Sequence, residues 1–411
     1  MRKNVVFLAG VVVLCLLSGC SANKSVAQPG ESAVNKWVAT WGAAPQLVES
    51  GNMPPAPGLT HNTLRQVVRV SIGGDRLRLR FSNTFSRQPV TMKSVAVAVS
   101  HGGSAVDGAT QKMLSFHTKR SVTMEPGEEV VSDEALFALA PGSLLAVTIY
   151  FGETSATVTG HPGSRTTSYI LRGDRVTSAD FANAIATDHW YVINGIDVQA
   201  APEAASIAVL GNSITDGRGS GVNKQNRWTD ILSERLLNNP STSHYGVVNL
   251  GIGGNCVVHG GLGPAALDRF DRDILSQSGV RWLIIFEGIN DIGGIKTAEA
   301  APQTATDLIN AYKLMISKAH GKGIKVYGCT LLPFAQSFYD APFRQAARDK
   351  VNEWIRNSGD FDAVIDFDNV MRSDNDPNTI GADLHSGDFL HPNELGYKKM
   401  GEAVDLNLFN K

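Results

Sequence analysis

After Pro202 the chain alternates between short apolar runs and longer segments whose apolar residues recur at three- and four-residue spacing. The short runs predict buried strands, and the longer segments predict helices that cover them. The predicted strands are residues 206–210, 247–250, 282–286, 324–330 and 363–367, and the predicted helices are residues 227–237, 267–275, 304–320 and 343–355. This alternation predicts an α/β domain over residues 201–411, with a mainly parallel sheet that binds ligands at the carboxyl ends of its strands.

Residues 36–200 have a different pattern, which favours strands. Residues 68–72, a Gly-Gly-Asp turn and the strictly alternating residues 76–81 predict a hairpin with arginines on one face and apolar side chains on the other. Residues 95–99, 121–124 and 144–151 are further predicted strands, separated by turns rich in Gly, Pro and Asp. An all-β sandwich domain over residues 36–200 follows from this pattern.

The first twenty residues have the pattern of an export signal. Arg2 and Lys3 precede an apolar run over residues 5–17, and small residues follow that run. Residues 17–20, Leu-Ser-Gly-Cys, resemble the lipobox of bacterial lipoproteins, in which the signal is cut before the Cys and that Cys carries the lipid. We therefore expect a signal peptide over residues 1–20, lipidation of Cys20 and a flexible tether over residues 21–35, with a plain secretory signal as the alternative.

Charge and cysteine content exclude several classes of protein. The 37 Lys and Arg residues against 39 Asp and Glu residues give a formal net charge of -2, so no overall basic field is available to bind nucleic acid. Membrane contact is expected through the lipid anchor only. Outside the signal, Cys256 and Cys329 either form one disulfide or remain two buried thiols.

A serine follows the first strand of the predicted α/β domain. Gly211-Asn212-Ser213 places this Ser at the carboxyl end of a strand, where such sheets have their active sites. A Ser hydroxyl needs a base to accept its proton and a group to orient that base. Asp388 and His391, three residues apart, are suitable for these two roles, and Asp383 and Asp291 are alternatives for the carboxylate.

Two further polar segments follow the second and third predicted strands. Residues 249–255 are rich in Gly and Asn, and residues 288–291 read Gly-Ile-Asn-Asp. Both are expected at the same edge of the sheet as Ser213. A loop Gly amide and an Asn side chain are suitable donors for the oxyanion that forms during acyl transfer.

These segments, in this order, resemble the four blocks of the SGNH, or GDSL, hydrolases over about 200 residues. The resemblance implies a flavodoxin-like three-layer sandwich. The expected reaction needs no cofactor, and the isolated histidines of the sequence imply no metal. The resemblance assigns Ser213 as nucleophile, His391 as base and Asp388 as the residue that orients the base. It assigns the oxyanion hole to the amides of Ser213 and Gly254 and the side chain of Asn290. One departure is Asn212, where the family usually has Asp.

The N-terminal region also resembles a known group. Residues 37–45 and the strand at residues 76–83 look like the leading β-domain of a subgroup of exported bacterial SGNH enzymes. Trp37, Trp41 and Tyr169 either stack on sugar rings or belong to the core. His161 and Arg165 have no assigned role, whereas Arg218 and Asn255 are candidate substrate contacts.

The prediction from sequence is a lipid-anchored, extracytoplasmic serine esterase that acts through an acyl-enzyme. Its expected substrate is a small-molecule or glycan ester, with O-acetyl groups on carbohydrate favoured. A lipase for longer acyl chains, with Phe334, Phe338 and Tyr339 along its groove, is one alternative. A non-catalytic glycan-binding lipoprotein is another, and the oligomeric state stays open.

Overall fold

A computed structural model describes residues 35–410 together with Met1. The predicted signal peptide, Cys20 and residues 21–34 of the predicted tether lie outside the described residues. No helix within the described part is long and apolar enough to cross a membrane.

The N-terminal region, up to Ala200, is built from antiparallel strands, as predicted. Its strands are β1 (Lys36–Gly42), β2 (Gln46–Leu47), β3 (Asn62–Arg69), β4 (Gly74–Ser82), β5 (Val90–Ser100), β6 (Lys112–Met113), β7 (Val122–Met124), β8 (Glu129–Val131), β9 (Ala135–Leu139), β10 (Leu144–Phe151), β11 (Thr159–His161), β12 (Ser168–Arg172), β13 (Ile185–Thr187), β14 (Trp190–Tyr191) and β15 (Ile193–Ala200). One sheet has the order β1-β15-β4-β8 with β9 also on β4, and a larger sheet has the order β13-β12-β3-β10-β5-β6 with β7 also on β5. A small third sheet has the order β14-β11-β2.

The predicted hairpin between residues 68–72 and 76–81 is wrong, although the alternation within the second strand is right. Leu77, Leu79 and Phe81 are fully buried, whereas the arginines between them are partly exposed. Strand β3 pairs with β10 and β12, but β4 pairs with β15, β8 and β9 in the other sheet. The connection at residues 70–73 therefore carries the chain from one sheet to the other, because the apolar side chains of both strands fill one core between the sheets.

The C-terminal region has the predicted α/β fold. Its elements are β16 (Ala205–Gly211), α1 (Ser213–Asp216), α2 (Trp228–Leu237), β17 (Tyr245–Gly251), α3 (Ala266–Phe270), β18 (Val280–Phe286), α4 (Ile289–Gly293), α5 (Ala301–His320), β19 (Lys325–Cys329), α6 (Pro342–Asn357), β20 (Ala363–Ile365), α7 (Phe367–Met371) and α8 (Glu394–Ala403). The five strands are parallel in the order β17-β16-β18-β19-β20, which is the flavodoxin-like order. Separate apolar clusters cover the two faces of the sheet. The α/β three-layer sandwich preceded by an all-β region is thus confirmed.

The two regions meet along β1 and the parallel sheet, and residues 35–410 belong to one compact unit. The Ser206 hydroxyl donates to the carbonyl oxygen of Ala39 at 2.6 Å, and the Val247 amide donates to the Ser71 hydroxyl at 3.0 Å. Ala39 also contributes to the apolar cluster on one face of the parallel sheet. Strand β1 therefore belongs to the core of both regions. Cys256 and Cys329 are buried free thiols.

Candidate active site

Ser213 lies just after the carboxyl end of strand β16, where the chain turns into α1. Asn212 precedes the helix in an extended conformation, and its Oδ1 accepts a hydrogen bond from the Ile214 amide at 3.0 Å. This N-cap makes Ser213 the first residue of α1. The strand and the cap together fix the position of the Ser213 side chain at the edge of the sheet.

The structure brings Ser213, His391 and Asp388 together in one hydrogen-bonded chain. Ser213 Oγ lies 2.8 Å from His391 Nε2, and His391 Nδ1 lies 2.6 Å from Asp388 Oδ2. Because a carboxylate accepts at Nδ1, that nitrogen carries the proton and Nε2 is left as the acceptor for the Ser213 hydroxyl. This arrangement can move a proton from the hydroxyl to the imidazole.

A tight loop before α8 holds Asp388 and His391 in place. Asp388 Oδ1 accepts from the backbone amides of His391 at 2.9 Å and Leu390 at 3.1 Å. Phe389, between them, has a φ of 56°, in the left-handed region that a bulky side chain rarely adopts. The three-residue spacing read from the sequence therefore becomes a turn in which the carboxylate holds both the backbone and the ring of His391.

The two alternative carboxylates lie elsewhere. Asp383 is exposed, and its carbonyl oxygen accepts from the Asn393 side chain. Asp291 accepts hydrogen bonds from the amides of Val257 at 2.9 Å and Val258 at 3.1 Å. Asp291 thus fixes the glycine-rich loop after β17 and does not orient His391.

Burial and neighbouring charges determine the protonation states of Asp388 and His391. Burial by itself would raise the pKa of Asp388, but hydrogen bonds from the backbone and ring of His391, and the charge of that ring, lower it to about 2. Burial lowers the pKa of His391 below its usual value, and the hydrogen bond and charge of Asp388 only partly oppose this effect. The carboxylate is therefore ionised and the imidazole neutral at pH 7, as a general base requires.

The residues that the sequence assigned to the oxyanion hole line one cavity with Ser213. Ser213, Gly254, Asn290 and His391 all border a cavity of about 340 Å³. Within residues 35–410, the backbone amides of Ser213 and Gly254 donate to no other protein group. Gly254 has a φ of 70°, which glycine adopts without strain.

Two neighbours orient the Asn290 side chain. Its Nδ2 donates to the carbonyl oxygen of Asn255 at 2.7 Å, and its Oδ1 accepts from the Tyr339 hydroxyl at 2.9 Å. One hydrogen of Nδ2 therefore remains for a substrate oxygen. The sequence analysis named Tyr339 only as a residue of an acyl groove. No pattern in the sequence indicates its hydrogen bond to Asn290.

The N-terminal region supplies part of the cavity wall, which sequence reasoning missed. Residues from this region that border the cavity are Gln46, Glu49, Asn52, Pro162, Gly163, Arg165 and His189. His161 lies just behind the wall, with Nε2 2.9 Å from Asp216 Oδ1. A Cβ on Gly163 would lie 1.9 Å from Asp216 Oδ2, so only glycine allows this close approach. Both regions therefore build the site.

Asn212, which replaces the usual Asp, lies beside a fully buried carboxyl group. Burial raises the pKa of Glu287 well above its usual value, while the Asn212 side chain and the charge of Arg269 act in the opposite direction. Glu287 Oε2 has no hydrogen-bond partner among the described residues. An Asp at position 212 would place a second carboxylate beside this group, so the amide suits its surroundings and keeps the cap on α1.

The remaining candidates fall into different places. Arg218 borders the cavity and is exposed. Asn255 is buried and donates to the carbonyl oxygens of Leu262 and Pro264, so it holds the loop and is not a substrate contact. Trp41 is buried in the core against Trp190, with ring centroids 5.0 Å apart.

Among residues 35–410, no group of three or more His, Cys, Asp or Glu side chains could hold a metal ion.

Comparisons with known proteins bear on the C-terminal region. A model of the GDSL-like Lipase/Acylhydrolase family matches residues 209–399. No curated protein matches the chain. Similar solved structures include a member of the lipolytic protein G-D-S-L family from Veillonella parvula, with 21% identity over 51% of this chain and 100% of that one and a TM-score of 0.36.

Two other similar structures are acetyl xylan esterases. One, AlAXEase, is 18% identical over 48% of this chain and 96% of its own, with a TM-score of 0.36. The other, Axe2 from Geobacillus stearothermophilus, is 17% identical over 49% of this chain and 93% of its own, with a TM-score of 0.37. The matched family segment runs from β16 to α8 and contains Ser213, Asn290 and His391. Residues 209–399 of this chain therefore form a domain of the GDSL-like lipase/acylhydrolase family, the SGNH/GDSL hydrolases.

Proposed function

We propose that this protein is a serine esterase that hydrolyses short-chain esters, above all O-acetyl esters on carbohydrate. The observation that carries the proposal is the hydrogen-bonded chain from Ser213 Oγ through His391 to Asp388 on the wall of a cavity. Membership of an acylhydrolase family supports ester hydrolysis as the reaction.

The proposed reaction has two halves. Ser213 Oγ attacks the ester carbonyl while His391 Nε2 takes its proton, and His391 then gives that proton to the oxygen of the leaving alcohol. Water attacks the acyl-Ser213 ester with His391 again as base, which releases the carboxylic acid and restores the hydroxyl. Asp388 stabilises the imidazolium in both halves. The amides of Ser213 and Gly254 and the Asn290 Nδ2 donate to the oxyanion.

The lining of the cavity supports a carbohydrate ester. Gln46, Glu49, Asn52 and His189 offer polar groups that can bind sugar hydroxyls. A different observation favours longer acyl chains as a second candidate. Phe338 is 66% exposed and Leu262 is 48% exposed, and both border the same cavity. Phe334, expected along such a groove, is fully buried instead.

A chain-length series tests the proposal and separates the two candidates. We would measure hydrolysis of p-nitrophenyl acetate, butyrate and octanoate by the purified protein, by Ser213→Ala and by the control Ser241→Ala, which changes an exposed loop serine. We expect a rate that falls with chain length, is nearly lost in Ser213→Ala and is kept in Ser241→Ala. A rate that rises toward octanoate would favour the lipase. No Ser213-dependent turnover on any ester would contradict the esterase and favour a glycan-binding protein.

We also propose that the enzyme is exported and lipid-anchored through Cys20. The supporting pattern is the basic start, the apolar run and the Leu-Ser-Gly-Cys sequence at residues 17–20. Cell fractionation of the full-length protein and Cys20→Ala tests this localisation. We expect the wild-type protein in the membrane fraction and the variant outside it, whereas equal distribution of both would contradict the anchor.

A further inference from the structure

Two arginines border the cavity that contains Ser213 and His391. Arg165 belongs to the N-terminal region, in the segment between β11 and β12, and Arg218 follows α1 directly after Gly217. They come from the two different regions of the chain, and both border this cavity. The proposed ester chemistry gives neither arginine a role.

Neither guanidinium is fully paired within the protein. Arg218 is exposed, and its side chain makes no hydrogen bond or ion pair with any residue of the described part. Arg165 Nε is buried without a hydrogen-bond partner in residues 35–410. Arg165 Nη2 lies 3.9 Å from the carboxylate oxygen Oδ2 of Asp216, which is beyond hydrogen-bond distance. Arg165 also has a φ of 50°, an uncommon conformation for its residue type.

The carboxylates around the cavity already have other partners. Asp216 Oδ1 lies 2.9 Å from His161 Nε2, and Asp388 is bonded to His391. The two oxygens of Glu49 accept from the side-chain amides of Gln46 at 2.6 Å and Asn52 at 3.0 Å. The two arginines therefore keep donors for a ligand, and an ionised carboxylate matches a guanidinium in charge and geometry.

The position of the arginines relative to His391 indicates which part of the substrate they contact. His391 gives its proton to the leaving alcohol oxygen, so the alcohol part of the ester lies on the side of the imidazole. Arg165 and Arg218 border the same cavity as His391, and their positive charges act on its ring. An alcohol part that lies beside the imidazole is therefore within the part of the cavity that these charges influence.

We propose that Arg165 and Arg218 form an anion-binding subsite for a carboxylate on the alcohol part of the ester. The corresponding natural substrate is an O-acylated uronic acid residue in an acidic glycan. This inference rests on the proposed esterase function and narrows its substrate class. A neutral acetylated sugar would leave the two guanidinium groups without a matching charge.

Two acetyl esters that differ only in charge on the leaving group test the subsite. The anionic substrate is 4-acetoxybenzoate, and the neutral substrate is 4-acetoxybenzamide. We expect the ratio of kcat/KM for the anionic substrate to that for the neutral one to fall about tenfold in Arg165→Gln or Arg218→Gln, because a hydrogen bond to a charged group is lost. Arg120→Gln, which changes an exposed arginine outside the cavity, serves as the control, and its ratio should equal that of the wild type.

The outcomes separate this inference from the proposed function. Ser213-dependent hydrolysis of both esters with an unchanged ratio in both arginine variants would overturn the subsite and leave the esterase intact. Mono-p-nitrophenyl succinate, compared with p-nitrophenyl butyrate, moves the carboxylate to the acyl group. The arginine substitutions could change the kcat/KM ratio for this second pair of esters and leave the ratio for the first pair unchanged. That result would overturn the placement of the subsite on the alcohol side.

A binding measurement keeps the subsite testable if no ester is turned over. Calorimetric titration of Ser213→Ala with methyl glucuronoside and methyl glucoside compares two sugars that differ only in the carboxylate. We expect tighter binding of the glucuronoside, a loss of that preference when Arg165→Gln or Arg218→Gln is added, and retention when Arg120→Gln is added. Equal binding of the two sugars by Ser213→Ala would overturn the proposal.

Discussion

His161 Nε2 lies 2.9 Å from Asp216 Oδ1, and this contact joins the all-β region to the short helix that begins at Ser213. His161 is the last residue of β11, and Asp216 is the last residue of α1, three residues after Ser213. The other ring nitrogen of His161 lies 3.0 Å from the carbonyl oxygen of Ala44, and the ring stacks on Trp190. The contact therefore fixes how the two regions meet at the cavity.

We expect His161→Ala to lower the free energy of unfolding by about 3–5 kcal/mol, because it leaves the buried Asp216 carboxylate without this partner. Urea denaturation measures the change. His61→Ala is the matched control, since His61 Nε2 also lies 2.9 Å from a carboxylate oxygen, on Glu153, but both side chains are more than half exposed. The control should lose no more than about 1 kcal/mol. Equal losses in the two variants would contradict a special role for the buried pair.

The sequence predicted the α/β region well because its signals are local. Short apolar runs are what strands buried on both faces require, and Ser213 and Asn290 follow such runs directly. The Asp388–His391 pair was also visible, because both residues belong to one short loop.

Contacts between distant segments could not be predicted in the same way. Strand β4 has the alternation of a half-buried strand, but the alternation carries no information about which strand lies beside it. The connection at residues 70–73 was predicted to be a hairpin turn for that reason, but it joins two different sheets. The approach of His161 and Arg165 to Asp216 likewise depends on how two regions pack, which no local pattern encodes.

Asn290→Ala should reduce kcat by about 10²- to 10³-fold, the usual cost of losing one oxyanion donor. Tyr339→Phe should have a smaller effect on kcat, because the Tyr339 hydroxyl only orients the Asn290 amide through a 2.9 Å hydrogen bond. Steady-state kinetics on p-nitrophenyl acetate measure both variants. Tyr327→Phe provides a control, since that hydroxyl bonds to the carbonyl oxygen of Leu408, away from the cavity. A kcat for Asn290→Ala close to that of the wild type would exclude Asn290 from the oxyanion hole.

The pH dependence of kcat/KM should follow the ionisation of His391. Only the neutral imidazole can accept the proton of Ser213, so activity rises as pH increases through the pKa of His391. Because burial lowers that pKa below 6.5, we expect the inflection of the acid limb below pH 6.5 and a plateau above it. A pH series on a neutral acetyl ester measures the limb. An inflection clearly above pH 6.5 would disagree with a buried, neutral His391.

Asp388→Asn tests what the Asp388 carboxylate contributes to the pKa and orientation of His391. The hydrogen bond and charge of Asp388 raise the pKa of His391, so their loss should move the acid limb to still lower pH. The rate should also fall by a factor on the order of 10⁴, because an amide no longer selects the tautomer with its proton on Nδ1. Asp383→Asn is the control, as Asp383 is exposed and lies outside this hydrogen-bonded chain. A normal rate in Asp388→Asn would remove Asp388 from the proposed mechanism.

Glu287→Gln should become more stable relative to the wild type as pH rises from 4 to 8. Burial raises the pKa of Glu287 well above 4.5, so the folded protein retains a proton that the unfolded chain releases above that pH. The stability that the neutral carboxyl contributes is complete below pH 4.5 and is lost as pH rises toward the folded pKa. Gln stays neutral throughout. The difference between variant and wild type should therefore grow by up to about 1.4 kcal/mol for each pH unit in that range. Urea denaturation from pH 4 to pH 8 measures this difference, with the exposed Glu203→Gln as control. A difference that stays constant with pH would mean that Glu287 is ionised in the folded protein, in which case the amide of Asn212 would have to stabilise a buried charge.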